Sequence, residues 1–100
     1  MGTPNISGKI LKYLYQNGCE IETVYTQPPI SSHRGQKVNK SPVHLISETL
    51  NLPIRTPNSL DNEKEKNFLK NKNIDLGIVV AYGQILKKDF LNIAKYGWIN

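Results

Sequence analysis

The sequence predicts an α/β fold in which a parallel sheet is flanked by helices, and two observations support this prediction. Segments whose apolar residues recur at helical spacing alternate with short runs of β-branched residues, in the order helix then strand. One of these runs, residues 76–81, is continuously apolar, as is typical of a strand buried on both faces of a parallel sheet. Strands that are connected through helices make right-handed crossovers, so the strands are expected to be parallel.

The first helix is predicted over residues 6–17. Its apolar positions recur at four-residue steps and form one stripe: Ile6, Ile10 and Leu14. Gly18 is well placed to end this helix in a left-handed conformation. Residues 20–26 are rich in β-branched side chains and predict a strand, which ends before Pro28 because proline cannot donate a hydrogen bond to a sheet.

The second helix is predicted to begin at Ser41 and Pro42. A serine can cap the exposed N–H groups at this end, and proline suits the first helical position. Three apolar residues mark the face that is expected to be buried: Val43, Ile46 and Leu50. A short strand over residues 52–55 follows.

The third helix is predicted to run from a cap at Asn58 or Ser59 to about Lys72. It carries acidic residues near its positive amino end, and it is the most polar of the helices, so we expect it to lie on the surface. A helical turn over residues 87–94 and the start of a strand at residues 97–100 complete the pattern.

Residues 27–40 show no usable periodicity and are predicted to form a long loop. No acidic residue lies between Glu22 and Glu48, whereas the loop contains one glycine and three cationic residues: Arg34, Gly35, Lys37 and Lys40. A loop of this length is usually functional or disordered, and one that lacks acids suits a phosphate backbone. A flexible basic loop in a lysine-rich chain is the alternative interpretation.

A second candidate site follows the apolar run at residues 76–81. Tyr82, Gly83 and Gln84 fall at the carboxyl end of this predicted strand, which is where open α/β sheets bind their ligands. Gly83 permits the backbone to approach a ligand closely, and Ile85 and Leu86 could line an apolar slot. The alternative interpretation is a core strand with a routine exit turn.

The length and composition exclude several classes of protein. A chain of 100 residues holds one domain at most, and one cysteine excludes both a disulfide framework and a multi-cysteine metal site. No apolar run reaches the roughly 20 residues of a membrane span, and the first residues lack a secretory signal, so we expect a reducing, cytoplasmic-type compartment. The net charge of +5 indicates little by itself, because lysine, asparagine and isoleucine are all abundant.

Six short segments resemble the amino-terminal part of the methionyl-tRNA formyltransferase family, in the family's order and at close to its spacing. They are residues 2–5, 24–28, 34–37, 41–43, 79–86 and 97–100. The resemblance implies that residues 1–100 form part of a Rossmann-like formyltransferase domain, with no second domain in this chain. It also implies a sheet that is incomplete at both ends: the family's first strand, which belongs between the strands predicted at 20–26 and 76–81, and the carboxy-terminal half of its domain lie outside these residues.

The resemblance implies an activity in translation initiation, the transfer of a formyl group from 10-formyltetrahydrofolate to the amino group of methionyl-initiator tRNA. Asn100 matches the asparagine of the family's catalytic set, whose His and Asp lie outside residues 1–100, so this piece alone is expected to be inactive. A folate site is implied at Tyr82, Gly83, Gln84, Ile85 and Leu86. A tRNA site is implied at Arg34, Gly35, Lys37 and Lys40. We expect a monomer that uses no metal and contacts no membrane.

Two other functions stay open. A sibling formyltransferase that acts on a small amine would share the asparagine but would not need the basic loop. A small RNA-binding α/β domain without enzymatic activity would need the loop but not the asparagine.

Overall fold

The computed structural model describes residues 1–31 and 37–100 and confirms the mixed arrangement of helices and parallel strands. The elements in chain order are α1 (Asn5–Gln16), β1 (Val24–Tyr25), β2 (Ile30–Ser31), β3 (Val38–Asn39), α2 (Pro42–Thr49), β4 (Ile54–Arg55), α3 (Glu63–Lys72), β5 (Gly77–Ile78), α4 (Lys88–Leu91) and β6 (Trp98–Ile99). The regularly paired parts of the strands are shorter than the sequence pattern predicts.

Two pairs of parallel strands form the sheet. β1 pairs with β4, and β5 pairs with β6. Met1 and Gly2 lie between the two pairs: the Gly2 N–H donates to Tyr25 O at 3.0 Å, and Met1 O accepts from the Val80 N–H at 2.9 Å. The spatial order is therefore β4, β1, Met1–Gly2, β5 and β6, with Met1 and Gly2 at the position predicted between the strands of residues 20–26 and 76–81.

The prediction of a long loop over residues 27–40 is wrong at both of its flanks. β2 and β3 pair as an antiparallel hairpin in which Ile30 lies opposite Asn39 and Ser31 lies opposite Val38. The β-branched residues Ile30 and Val38 favour extended backbone although neither is buried, and an exposed pair of two-residue strands leaves too short a pattern for periodicity to detect.

The helix ends follow the local sequence signals except at the start of α3 and at the end of α4, which runs to Leu91 and not to residue 94. Gly18 adopts a φ of +84° just after α1, and the Ser41 Oγ accepts from the His44 N–H at 3.0 Å at the start of α2, as predicted. The cap of α3 is Asn62 instead of Asn58 or Ser59. The Ser59 hydroxyl accepts from the Asp61 N–H at 3.0 Å and so forms the turn that precedes the helix.

The core lies between the sheet and the two later helices. Its buried cluster comprises Tyr25, Leu60, Leu69, Tyr82 and Phe90. α3 is therefore more than a surface helix, because its residues Glu65 and Leu69 are buried. Its amphipathic stripe is narrow, and charged residues on its other faces conceal that stripe in the sequence.

A groove of about 460 Å³ continues the line of Met1 and Gly2 towards the amino ends of β1 and β5. Apolar side chains from both sides line it, among them Leu11, Leu14, Ile21, Leu69 and Trp98. Residues 78–80 are only half-buried beside this groove, and Leu76 is exposed. The prediction that residues 76–81 are buried on both faces is therefore wrong for much of this run.

A partly buried ion pair joins β1, β4 and α3. The Glu65 Oε1 accepts from the Tyr25 hydroxyl at 2.8 Å and from the Arg55 Nε at 2.7 Å, while a second Arg55 nitrogen donates to the Glu65 Oε2 at 3.1 Å. The Arg55 guanidinium also lies 3.8 Å from the centre of the Phe68 ring. The hydrogen bonds from Arg55 hold the pKa of Glu65 below its usual range, and burial, with a further contribution from Glu65, raises the pKa of Tyr25.

We predict that the Glu65→Gln substitution lowers the free energy of unfolding by about 2 kcal/mol at pH 7, because it removes hydrogen bonds to a charged acceptor. The pKa of Glu65 is lower in the folded state, so its stabilisation is present above its ordinary value of 4.5 and is lost as the pH falls through the folded pKa. Urea unfolding at pH 7 and pH 4 checks both effects. The variant should lose less stability between these pH values than the wild type.

The matched control is Glu63→Gln, since the Glu63 side chain lies on the same helix and is 77% exposed. It should change the free energy of unfolding by less than about 0.5 kcal/mol. Equal effects of the two substitutions on the free energy of unfolding would contradict the role assigned to the pair of Arg55 and Glu65.

Candidate functional site

The carboxyl ends of the parallel strands meet along one edge of the sheet, and four of the six segments that carry the family resemblance lie along or beside it. Thr3 follows Gly2, Gln27 lies two residues after β1, residues 81–86 follow Val80, and Asn100 follows β6. In open α/β sheets this edge binds ligands. The structure therefore brings together residues that are nearly a hundred positions apart in the chain.

Tyr82 contributes backbone and not side chain to this edge. Its side chain is buried in the core cluster, with only 1% of the residue exposed. Burial raises the pKa of the Tyr82 hydroxyl to about 12, and this hydroxyl has no hydrogen-bond partner among the described residues. The Thr3 hydroxyl donates to the Tyr82 carbonyl at 2.6 Å, so that carbonyl is already engaged.

Two left-handed residues flank Tyr82 and turn the chain sharply at the sheet edge. Ala81 has a φ of +49° and Gly83 has a φ of +101°. A Cβ placed on Gly83 would lie 2.5 Å from the Gln27 Nε2, so this glycine permits a close approach to a neighbouring side chain. A left-handed alanine is uncommon and strained, and such strain is often found at ligand sites.

The remaining residues of the segment divide between solvent and the protein interior. Ile85 is 89% exposed, whereas Leu86 packs against the core cluster, so the two do not form one apolar slot. The Gln84 side chain is turned inward and bonds to Gln27. Within residues 1–31 and 37–100, no hydrogen bond engages the backbone of Gly83, Ile85 or Leu86. These free N–H and C=O groups are the polar surface that the segment offers.

Asn100 is exposed at the end of β6, which is where the sequence predicts it. The preceding residue is held in the sheet, because Ile99 O accepts from the Val79 N–H at 2.8 Å and Ile99 lies opposite Ile78. This pairing places the Asn100 backbone beside the strand that leads into residues 81–86. Its carboxamide carries two N–H donors and one acceptor oxygen.

The predicted basic site is only partly described, because Arg34 and Gly35 lie outside the described residues. Lys37 and Lys40 are both exposed at the hairpin strand β3. The Lys40 Nζ lies 2.7 Å from the Glu48 Oε2, and this hydrogen bond lowers the pKa of Glu48. Lys37 takes part in none of the ion pairs of the described residues, whereas Lys40 is paired with Glu48.

Sequence reasoning missed several polar side chains that hold this edge together. Thr26 is fully buried, and its hydroxyl lies 2.6 Å from that of Ser41, which fixes the exit of β1 to the start of α2. The Val43 N–H donates to Thr3 O at 3.3 Å and ties the same helix to the turn after Gly2. One sequence signal could have indicated the role of Thr26: it is a threonine directly after a buried strand, where a hydroxyl can bond to the neighbouring loop.

The described part of the chain contains neither a candidate metal centre nor a candidate membrane span. No three side chains of His, Cys, Asp or Glu in residues 1–31 and 37–100 come together as metal ligands would. Among the helices of the same residues, none combines the length and the apolar character that a bilayer crossing requires.

Comparison with known proteins yields one family and many relatives. A family model described as formyl transferase matches residues 1–100. The chain is 52% identical to a methionyl-tRNA formyltransferase of Pelagibacter ubique, 44% identical to one of a Wolbachia species and 43% identical to one of Caulobacter vibrioides. Each match covers the whole chain but only 33%, 33% and 32% of these relatives, respectively. The chain thus spans about a third of the length of the curated relatives it matches.

We predict that Gly83→Ala lowers the free energy of unfolding by about 2 kcal/mol or more. An alanine there would combine the roughly 1 kcal/mol of left-handed strain with displacement of the Gln27 carboxamide from its hydrogen bond to Gln84. Gly18→Ala is the matched control, since Gly18 is also left-handed but has no atom within 4 Å of the added Cβ. Chemical unfolding of both variants separates the left-handed strain from the effect on Gln27. Equal losses of unfolding free energy in the two variants would contradict an effect on Gln27.

Proposed function

Since the chain belongs to the formyl transferase family, we propose that it forms part of an enzyme that formylates methionyl-initiator tRNA. The observation that carries this proposal is the match of the whole chain to relatives that are named methionyl-tRNA formyltransferase. The sheet edge at residues 81–86 and Asn100 supports it, because these segments of the family resemblance lie together in the fold. The activity belongs to the longer protein of which residues 1–100 would be a part.

Asn100 is the catalytic residue in this proposal. Attack of an amine on a formyl group builds negative charge on the formyl oxygen, and a carboxamide N–H directed at that oxygen stabilises the charge. Such a donor contributes roughly 3–4 kcal/mol in comparable oxyanion holes. The attacking amine must also lose a proton, which requires a general base that this catalytic set would supply from outside residues 1–100.

Residues 82–86 form the binding site for 10-formyltetrahydrofolate in this proposal. A fused heteroaromatic ring with donor and acceptor edges can pair with the free backbone groups of Gly83, Ile85 and Leu86. The exposed side chain of Ile85 offers an apolar surface to the same ligand. The side chains of Tyr82 and Gln84 support this site from within the protein, because both are directed inward.

The basic stretch of residues 34–40 is the proposed contact with the tRNA, and it favours tRNA over a small amine as the formyl acceptor. Its cations are Arg34, Lys37 and Lys40. Phosphate contacts by exposed lysines supply affinity that falls with salt. Lys37 is the better candidate of the two described lysines, since Glu48 competes for Lys40.

We predict that Lys37→Met in the enzyme that contains residues 1–100 weakens tRNA binding and reduces the slope of log affinity against log salt by about one. The affinity for the formyl donor should not change. Lys9→Met is the matched control, because Lys9 is an exposed lysine of α1 on another element. Salt titrations of tRNA binding and a donor-binding measurement check the prediction.

An unchanged slope of log affinity against log salt in Lys37→Met would contradict the assignment of Lys37 to the tRNA site. If the enzyme formylates a small amine as efficiently as methionyl-tRNA, and if this activity does not depend on Lys37, then the formyl acceptor is the small amine and not the tRNA. Binding of tRNA without any formyl transfer by the enzyme would favour the RNA-binding module.

We predict that Asn100→Ala lowers kcat about 10²–10³-fold, the usual loss when one oxyanion donor is removed. The KM for the formyl donor should change little, since the interaction forms in the transition state. Asn67→Ala is the control, because Asn67 is an exposed residue of α3. Steady-state kinetics check the prediction, and a loss confined to KM would contradict the role of Asn100.

A further inference from the structure

The carboxamide of Gln84 joins three loops at the carboxyl edge of the sheet. Its Nε2 donates to the Gln27 Oε1 at 3.0 Å and to Pro57 O at 3.1 Å, while its Oε1 accepts from the Leu60 N–H at 3.0 Å. Gln27 lies two residues after β1, Pro57 lies two residues after β4, and Leu60 lies in the segment that leads into α3. One side chain therefore contacts the exits of two strands and the approach to a helix.

The chemistry of the partners fixes the orientation of this carboxamide. A backbone carbonyl such as that of Pro57 only accepts hydrogen bonds, and a backbone N–H such as that of Leu60 only donates. The nitrogen of Gln84 must therefore face Pro57 and its oxygen must face Leu60. Glutamate at this position would lack both donors, and an apolar residue would leave the buried Leu60 with an unsatisfied N–H.

Few other contacts hold the middle of the segment 82–86. Tyr82 is fixed by the core and by Thr3, and Leu86 packs against the core cluster. Between them Gly83 and Ile85 are exposed, and their backbones make no hydrogen bond with the described residues. Gln84 is the residue through which this exposed stretch is attached to the rest of the edge.

We propose that Gln84 is a positioning residue that holds the backbone of residues 83–86 in the conformation that binds the formyl donor. This inference rests on the proposed function and assigns to the Gln84 side chain a role towards the protein instead of towards the ligand. Three anchored hydrogen bonds keep the free N–H and C=O groups of the segment in place before the ligand arrives. Such preorganisation reduces the ordering that binding would otherwise require.

The test uses the enzyme that contains residues 1–100 with Gln84→Met, which keeps the length of the side chain and removes its three hydrogen bonds. Gln27→Met removes only one of them and is the milder variant if the first does not fold. Gln16→Met is the matched control, since Gln16 is an exposed glutamine at the end of α1. The readouts are amide hydrogen exchange and steady-state kinetics with both substrates.

In Gln84→Met we expect amide exchange to rise about tenfold at Leu60, whose N–H loses its acceptor, and not in α1. The KM for 10-formyltetrahydrofolate should rise about tenfold, which is the effect of losing one or two net hydrogen bonds, with kcat and the KM for methionyl-tRNA nearly unchanged. Gln27→Met should give a change of about threefold in the same direction. Gln16→Met should resemble the wild type.

Unchanged exchange at Leu60 together with an unchanged donor KM would overturn the positioning role. A fall in the active fraction with both KM values unchanged would show a purely structural role and would also overturn it. A wild-type enzyme without formyl transfer would refute the proposed function itself, and hydrogen exchange at Leu60 would still show whether Gln84 holds the neighbouring loop.

Discussion

The close approach of backbone at Gly2 holds the two halves of the sheet together. The Gly2 N–H bonds to β1 at Tyr25, and the neighbouring Met1 bonds to Val80, so this short segment pairs on both sides. A Cβ at position 2 would lie 2.8 Å from Val80 O and 2.6 Å from the Ser7 Cβ, so glycine is the residue that fits. The Ser7 hydroxyl also donates to Val80 O, which ties α1 to the same point.

The geometry of the candidate site follows from that junction. Once Gly2 is in place, Thr3 reaches the carbonyl of Tyr82 on one side and the N–H of Val43 on the other. The turn at residues 81–86, the start of α2 and the exit of β1 are then fixed relative to one another by side-chain hydroxyls and carboxamides. A ligand site built in this way is preorganised, because its loops are bonded to the scaffold and not only to each other.

Much of the fold could be predicted from local patterns, and the failures have physical causes. The spacing of Ile6, Ile10 and Leu14 and the Ser41-Pro42 pair specify helices through interactions within a few residues. The first helix therefore begins and ends within one residue of the prediction, and the second begins where it was predicted. The cap of α3 at Asn62 was missed because several residues before it can all form turns or caps. The hairpin of β2 and β3 was missed because its exposed strands bury nothing and leave no pattern.

The sequence by itself determined the alternation of helices and strands, the position of Asn100 at a strand end, and the resemblance that leads to the formyl transferase family. Only the tertiary structure decided that Tyr82 and Gln84 face inward, that Glu48 engages Lys40, and that Glu65 is buried with Arg55. Helix caps and apolar periodicity depend on residues that are close in the chain, so they can be recognised in the sequence. The bond between Gln27 and Gln84 spans 57 positions and depends on how the strand ends meet, which no local pattern contains.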